Sequence, residues 1–384
     1  MARLRGQEDL CDNILWRLAV VVCLGVTLSS EPSSYPHSPK FSWDFIPQFI
    51  HCSNNSGPLN EQILQAMTAS QIGFVVIEKY QCLHCSPNFD RGETKELAAA
   101  KAIKAIDPTK PVFFYFAVDY ARTWYELGRY FDAHPSMEVH NADGSLATVS
   151  SEGFVWHVFD FAVPLAREAW VETLVNASKS ALIDGVFIDG YRSPSSWTKQ
   201  LIPKASAEEQ RAWLEGVNVT GQLLGRSMPS GSTLIINPGS EYSYFPGYNA
   251  ISVEFFDAKI DDMEQLHALA GTLLEVHVYA GRDEGKFNTT LAAFLCSAGE
   301  GAFFGAGDSW DTCDSWLIHH TEYTKPLGKP QPPVITHNGT IWTRTFASGT
   351  VAVVDTSGGA ARTCVRWADG YRTGKDCFGN HPLL

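Results

Sequence analysis

Two short apolar segments of the sequence end on a carboxylate. In GVFID (185–189) three hydrophobic residues lead directly to Asp189, and in AISVE (250–254) an apolar run leads to Glu254. Two carboxylic acids in one cleft can hydrolyse a glycosidic bond, because one attacks the sugar or activates water while the other, protonated, releases the leaving group. We therefore interpret both as candidate reacting groups. The structural alternative is that such an aspartate caps the next helix or pairs with an arginine such as Arg192.

Other polar and aromatic residues also stand where apolar runs end. If these runs are parallel strands of a barrel, their ends form one ring at its C-terminal face. Carboxylates crowded there raise one another's pKa unless protons or a substrate compensate. The residues that we expect to contact a substrate are Glu78, Asp119, Tyr191, Arg192, Asn237, Asp257, His277, Tyr279, Asp308 and Trp310.

Eight apolar runs alternate with helical patterns along most of the chain. The clearest helical pattern is PLAREAWVETLVNASKSAL (164–182), in which apolar residues recur every three or four positions behind an initial proline. Runs that are apolar on nearly every residue indicate parallel strands buried on both faces. The predicted strands are 45–52, 73–80, 111–120, 185–191, 233–240, 248–256, 272–281 and 301–308.

This alternation predicts an α/β fold, specifically a (β/α)8 TIM barrel, which typically needs about 250 residues. A doubly wound open sheet is the alternative, but no glycine-rich phosphate loop follows the first run. We assign residues 43–325 to the barrel. The segment 340–370 alternates with the period of a strand and has Gly and Ser turns, so we assign 326–384 to a small C-terminal antiparallel β module.

The composition describes a globular chain and limits its partners. Charged residues make up 18% of the 384 residues, hydrophobic residues 45%, and the formal net charge is −13. An acidic chain without a basic run is not expected to bind nucleic acid. The sequence contains no G-x-S-x-G, H-E-x-x-H or P-loop motif, so we predict no cofactor and no metal.

The N-terminus has the pattern of a targeting segment. Arginines precede an apolar run at 18–28 that is too short to cross a bilayer, so we predict a signal peptide over 1–30 and a Ser/Pro-rich linker over 31–42. A retained signal anchor is the alternative. We expect a secreted protein that does not contact the membrane after signal cleavage. Five sequons agree with this route and are candidate glycosylation sites: Asn54, Asn176, Asn218, Asn288 and Asn338.

Seven cysteines follow the predicted signal, so at least one is free or bonded to another molecule. Cys364 and Cys377 flank a turn-rich segment and are the best candidate pair. Cys296 and Cys313 would close a loop around GAGDSWDT. Cys52 could pair with either cysteine of CLHC, Cys82 or Cys85, and a redox or zinc role for CLHC is the weaker alternative.

The order of several motifs resembles that of the (β/α)8 barrels of putative glycoside hydrolases. These motifs are the segment 159–191 that ends in DGVFIDGY, IINPG (235–239), the Glu-Phe of the sixth strand, KPLGKP (325–330) and WTRTFASGTVAVVD (342–355). The resemblance extends to retaining α-glycosidases, including α-galactosidase and endo-α-galactosaminidase-like groups. It implies that the nucleophile ends strand four, at Asp189, and that the acid/base ends strand six, at Glu254. Asp257 lies close behind and is the alternative proton donor.

Taken together, these features predict a secreted glycoside hydrolase with a carbohydrate substrate, retaining and α-specific. A catalytically inactive, lectin-like barrel would have the same features, because a fold can host either function. A metal-dependent hydrolase or deacetylase would instead need His51, His277 and a carboxylate on one ion. Sugar, linkage, endo or exo action and oligomeric state are left open.

Overall fold

Eight parallel strands close into a barrel in the computed structural model, which describes residues 36–88, 90–151, 153–190, 201–238, 247–374 and Cys377. The strands are β1 (Gln48–Cys52), β2 (Ile72–Ile77), β3 (Val112–Ala117), β4 (Tyr120–Ala121), β5 (Thr148–Ser151), β6 (Phe154–Val158), β7 (Gly185–Asp189), β8 (Thr233–Ile236), β9 (Ala250–Val253), β10 (Leu273–Val278), β11 (Ala302–Ala306), β12 (Val334–Thr336), β13 (Ile341–Thr345), β14 (Val351–Asp355), β15 (Arg362–Arg366) and β16 (Arg372–Thr373).

The barrel order is β1-β11-β10-β9-β8-β7-β3-β2, so the sheet is closed and the open doubly wound alternative is wrong. Each of the eight predicted runs overlaps one barrel strand, with boundaries that differ by up to four residues. These strands are buried along almost their whole length, which explains why their sequences are nearly continuous in hydrophobic residues.

Seven α-helices are described: α1 (Glu61–Thr68), α2 (Gly92–Ile106), α3 (Glu126–Asp132), α4 (Pro164–Ser178), α5 (Ala207–Ser227), α6 (Ile260–Ala268) and α7 (Glu284–Ser297). Helix α4 begins at Pro164 as predicted, and the indole of its buried Trp170 donates to the Ala117 carbonyl at 3.0 Å. Helix α5 begins with a capping box between Ser206 and Glu209. Most helices thus cover the barrel between consecutive strands.

An excursion, residues 120–158, interrupts the barrel between β3 and α4. It contains a three-stranded antiparallel sheet of order β4-β6-β5 and helix α3. Trp124 and Trp156 are both buried, with ring centroids 4.9 Å apart in an edge-to-face arrangement. None of the predicted strands lies within 121–184, so this small sheet is known from the structure alone.

The C-terminal antiparallel sheet expected from the alternating pattern is present, with the order β12-β13-β14-β15-β16. It packs against α7. Buried Arg344 of β13 donates to the carbonyls of Leu295 and Ala298, and the Cys296 thiol lies 3.7 Å from the Trp342 carbonyl oxygen. The boundary predicted at 325/326 falls between β11 and this sheet and remains a prediction.

The disulfides correct part of the cysteine assignment. Cys364–Cys377 is formed as predicted, but Cys313 bonds Cys52, and Cys296 is a buried free thiol. The predicted Cys296–Cys313 bond is therefore wrong, because Cys296 lies inside α7, facing the C-terminal sheet. Cys82 bonds Cys85 within CLHC, so neither pairs with Cys52. The barrel closure explains the Cys52–Cys313 bond, since it places the end of β1 beside the segment that follows β11.

The predicted signal peptide and residues 31–35 of the predicted linker lie outside the described residues. Within the described part of the chain, no helix is long and apolar enough to cross a membrane. Of the candidate glycosylation sites, Asn176, Asn218 and Asn338 are exposed, while Asn54 and Asn288 are partly buried. Glycosylation at these positions remains a prediction.

Candidate active site

The ends of three neighbouring strands bring two carboxylates onto one amide. Asp189 is the last residue of β7, and Asn237 and Glu254 directly follow β8 and β9. The Asn237 side-chain nitrogen donates to Asp189 Oδ1 at 3.0 Å and to Glu254 Oε2 at 2.8 Å. Because both oxygens lie within hydrogen-bond distance of the same nitrogen, they are no more than about 6 Å apart.

Asp189 is held as an ionised carboxylate. Its Oδ2 accepts from the Tyr115 hydroxyl at 2.5 Å, and Oδ1 accepts from the backbone N–H of Gly190 at 2.8 Å. Burial alone would raise its pKa. The nearby positive charges of Lys79 and Arg122, together with these hydrogen bonds, outweigh burial and hold the pKa of Asp189 below its usual value.

Glu254 has the opposite tendency. Burial, followed by the negative charge of Asp189, raises its pKa, although hydrogen bonds from Tyr279 and Asn237 oppose the rise. Its Oε1 accepts from the Tyr279 hydroxyl, which in turn accepts from the Trp310 indole N–H at 3.1 Å. Two neighbouring carboxyl groups whose pKa values are pushed apart can serve as one base or nucleophile and one acid.

A buried layer of charge lies beside Asp189. Glu78, at the end of β2, accepts from the Lys79 ammonium at 2.7 Å, and both side chains are buried. Burial raises the pKa of Glu78. The Lys79 ammonium also lies 4.8 Å from the centre of the Tyr115 ring, so it is close to the hydroxyl that binds Asp189.

Two buried histidines support the site and are uncharged. Burial lowers the pKa of His277 to about 3 and that of His51 to about 4. His277 Nε2 donates to the Gly307 carbonyl at 2.7 Å, and its ring lies edge-to-face with Tyr279, with centroids 4.3 Å apart. His51 Nδ1 lies 2.9 Å from Oε1 of Glu275. His277 therefore positions Tyr279, and direct sugar contact by His277 remains a prediction.

The other predicted residues are distributed unevenly around this pair. Asp119 is buried against Gly190, whose φ of 77° is a left-handed conformation that favours glycine and where an added Cβ would lie 2.6 Å from the Asp119 carboxylate. Asp308 is exposed, and together with Trp310 it lines a cavity at this end of the barrel. Asp257 is only partly buried and pairs with Lys259 at 3.6 Å. Tyr191 and Arg192 lie outside the described residues.

Reasoning from strand ends overlooked Tyr115 and Arg122. Tyr115 lies two residues before the end of β3, and alternation of side chains along the strand turns it into the barrel. The tyrosine hydroxyl, which is polar within an otherwise apolar run, is the sequence feature that could have identified Tyr115. Arg122 follows β4 in the excursion and its guanidinium lies over the Tyr120 ring, 4.6 Å from the centroid. No strand-end pattern identifies it.

One grouping among the described residues has metal-ligand spacing. Each of three residues offers one ligand atom, and these atoms lie within 4.8 Å of one another: Asp132, Glu138 and His157. None of these residues comes from a barrel strand end. The metal-dependent alternative requires His51 and His277; His51 Nδ1 lies 2.9 Å from Glu275, and His277 Nε2 donates to the Gly307 carbonyl.

Sequence comparison places the chain in a family. A family model described as hypothetical glycosyl hydrolase family 15 matches residues 104–350, which is more than half of the chain and includes Asp189, Asn237 and Glu254. The chain belongs to this family. As a member, it is a glycoside hydrolase, and its substrate is a carbohydrate. A search of curated proteins found no match.

Several solved glycoside hydrolases have a similar fold. The α-galactosidase AgaA of Geobacillus stearothermophilus is 13% identical with a TM-score of 0.51, over 80% of this chain and 47% of that one. The galactosidase domain of the α-galactosidase-sucrose kinase AgaSK is 13% identical with a TM-score of 0.52, over 86% and 51%. This chain thus spans about half the length of these two proteins. The glycoside hydrolase domain of PelA from Pseudomonas aeruginosa is 17% identical with a TM-score of 0.44, over 69% and 97%. For the two galactosidases, at 13% identity, the likeness shows the fold alone.

Proposed function

We propose that this glycoside hydrolase is retaining and α-specific, with Asp189 as the nucleophile and Glu254 as the acid/base. The observation that carries the proposal is the shared contact of Asn237 with both carboxylates. It holds one oxygen of Asp189 within about 6 Å of one oxygen of Glu254, which is compatible with the separation of about 5–5.5 Å between the carboxyl groups of retaining enzymes.

The pKa directions support the assignment of roles. A nucleophile must be ionised, and the pKa of Asp189 is held low by Lys79 and Arg122 against the effect of burial. A general acid must be protonated before the first step, and burial and the charge of Asp189 raise the pKa of Glu254. In the proposed first step Asp189 bonds to the anomeric carbon while Glu254 protonates the departing oxygen. In the second step Glu254 takes a proton from water, which replaces Asp189 on that carbon.

The α-specificity rests on the resemblance of the motif order to retaining α-glycosidases, in which the nucleophile ends strand four and the acid/base ends strand six. The similar structures named α-galactosidases agree with this choice at the level of fold. The proposed secretory route rests on the N-terminal pattern and the sequons, and the three disulfides are consistent with an oxidising compartment.

The experiment is to incubate the purified chain with α- and β-linked oligosaccharides and follow the anomeric configuration of the product by NMR. We expect α-linked substrates to give product that is initially α. Asp189→Asn should lower kcat by about 10³-fold or more, because the covalent step is lost. Inverted product would contradict the mechanism. Binding without hydrolysis across the panel would favour the lectin-like alternative.

A matched pair of variants distinguishes the two candidate proton donors. Glu254→Gln should lower kcat/KM by about 10²–10⁴-fold on oligosaccharides, and less on aryl glycosides, whose leaving groups need little protonation. Asp257→Asn should leave both rates nearly unchanged, because Asp257 pairs with Lys259 and is not hydrogen-bonded to Asn237 in the structure. A large effect of Asp257→Asn confined to poor leaving groups would reverse the assignment.

A further inference from the structure

We infer that a cavity connected to the carboxylate pair through its lining residues is a second sugar-binding subsite, which holds a sugar unit next to the one whose bond is cleaved. The inference rests on the proposed function and adds that the substrate is an oligo- or polysaccharide held by at least two of its units. The cavity has a volume of about 530 Å³. This lies within the range of about 300–1,000 Å³ that is usual for ligand sites.

The cavity is connected to the proposed acid by a chain of two hydrogen bonds. Trp310, which lines it, donates through its indole N–H to the Tyr279 hydroxyl, and that hydroxyl donates to Glu254. Tyr80, which also lines the cavity, has its ring centroid 4.9 Å from the Lys79 ammonium, whose charge favours ionised Asp189. The cavity therefore adjoins groups that interact with both carboxylates, where a neighbouring sugar unit of the substrate would lie.

Its lining combines aromatic rings with hydrogen-bonding groups. Tyr80, Phe154 and Trp310 contribute the rings, and Asp308, Asp311 and His84 contribute polar groups. Sugar rings present C–H faces to aromatic planes and hydroxyl groups to polar side chains, so this mixture is suited to a sugar. Two carboxylates in the lining disfavour an anionic saccharide and are compatible with a neutral or cationic one.

The inference depends most on Phe154, because its side chain is not fully buried in the core. It comes from the excursion, on strand β6, and is 38% exposed. Its ring is nevertheless held in place, stacked on Trp156 at 5.0 Å and edge-to-face with Trp124 at 5.6 Å between centroids. An aromatic side chain that is kept rigid and partly exposed over a cavity has the properties of a binding platform.

The test compares a substrate that fills only the cleavage position with one that also fills the neighbouring subsite. Phe154→Ala is assayed on α-hexosyl fluorides, whose leaving group is a single fluoride, and on α-linked hexasaccharides of the same hexoses, using glucose, galactose and their 2-amino forms. We expect kcat/KM to fall about tenfold on the hexasaccharide and to change less than about twofold on the fluoride. Val155→Ala is the matched control, since Val155 is the next residue of β6, is 63% exposed and faces the opposite side. It should change neither rate.

Binding to the Asp189→Asn variant separates this inference from the proposed function. Calorimetric titration with the same hexasaccharides should give a Kd about tenfold weaker when Phe154→Ala is added, whether or not the parent chain hydrolyses them. If the parent binds but does not hydrolyse, the proposed function fails and the subsite stands. If Phe154→Ala lowers cleavage of both substrate lengths equally, or leaves hexasaccharide cleavage and binding unchanged with the unfolding midpoint preserved, the subsite is overturned. Absence of saccharide binding by the parent overturns it as well.

Discussion

At the scale of residues, the site depends on two carboxyl groups that differ in protonation. Asp189 must be ionised to attack, so kcat/KM should fall at low pH as this group gains a proton. Glu254 must be protonated to donate, so kcat/KM should fall at high pH as it loses its proton. Since the pKa of Asp189 is lowered and that of Glu254 is raised, a window of activity lies between them.

Removal of the Tyr279 hydroxyl should shift one side of this window. Its hydrogen bond stabilises the ionised form of Glu254 and so lowers the pKa of that carboxyl. In Tyr279→Phe the pKa should rise, and the alkaline limb of the kcat/KM profile should move to higher pH while the acid limb stays in place. The rate at the optimum should fall by about tenfold or less, because Glu254 is less firmly oriented. A shift of the acid limb instead would contradict the assignment of roles.

At the scale of elements, the two ends of a barrel strand have different tasks. The C-terminal end of β7 carries Asp189, whereas its N-terminal end is preceded by fully buried Asp184. Asp184 Oδ2 accepts from the Lys104 ammonium of α2 at 2.6 Å and from the Val112 N–H of β3 at 2.9 Å. This contact ties one helix and two strands together, at the end of the barrel opposite the catalytic pair.

Lys104→Met should therefore destabilise the fold without altering the chemistry. The substitution removes the ammonium from the buried Asp184 carboxylate, whose Oδ1 keeps the His37 backbone N–H at 2.6 Å and the His37 ring nitrogen at 3.0 Å. We expect the free energy of unfolding to fall by about 3 kcal/mol. Urea denaturation measures this loss, and kcat of the folded fraction should change less than about twofold. The control is Lys101→Met on the same helix, which is exposed and should change stability by about 0.5 kcal/mol or less. Equal losses in the two variants would show that the pair with Asp184 is not the cause.

At the scale of the whole molecule, the Cys52–Cys313 bond supports the closure of the barrel. Strands β1 and β11 share the single paired position Gln48–Phe304, whereas β1 and β2 are paired along their length. The bond joins the end of β1 to the segment after β11, across a sequence separation of 261. A cross-link over a loop of this length strongly restricts the unfolded chain.

Loss of this bond should cost more stability than loss of the C-terminal one. We expect the double variant Cys52→Ser, Cys313→Ser to lower the free energy of unfolding by about 2–5 kcal/mol in guanidinium titrations. The control variant Cys364→Ser, Cys377→Ser removes a bond with a sequence separation of 13 and should lose less. A peptide map without reductant should recover both bonds, with Cys296 alkylated only after unfolding because it is buried. A recovered Cys296–Cys313 peptide would contradict the structure.

Much of the barrel could be predicted from local pattern. Strands covered on both faces must be apolar along their length, and all eight were identified in this way. The C-terminal sheet was recognisable because its strands alternate. The excursion was missed, since its strands are short and its buried tryptophans are separated by loop residues. Three residues of the site were predicted because they stand at strand ends: Asp189, Asn237 and Glu254. Tyr115, which binds Asp189, was not predicted because it lies inside an apolar run.

The sequence by itself determined the approximate positions of the barrel strands, and hence which polar residues lie near their ends, because burial acts residue by residue along the chain. Which of these residues meet was decided by tertiary structure alone. The order of strands around the barrel places Asn237 between two carboxylates, so that Glu254 rather than Asp257 contacts the amide shared with Asp189. The same closure brings Cys313 to Cys52 and leaves Cys296 on a helix facing another sheet. Contacts between distant segments depend on the register and closure of the whole sheet, which no local pattern contains.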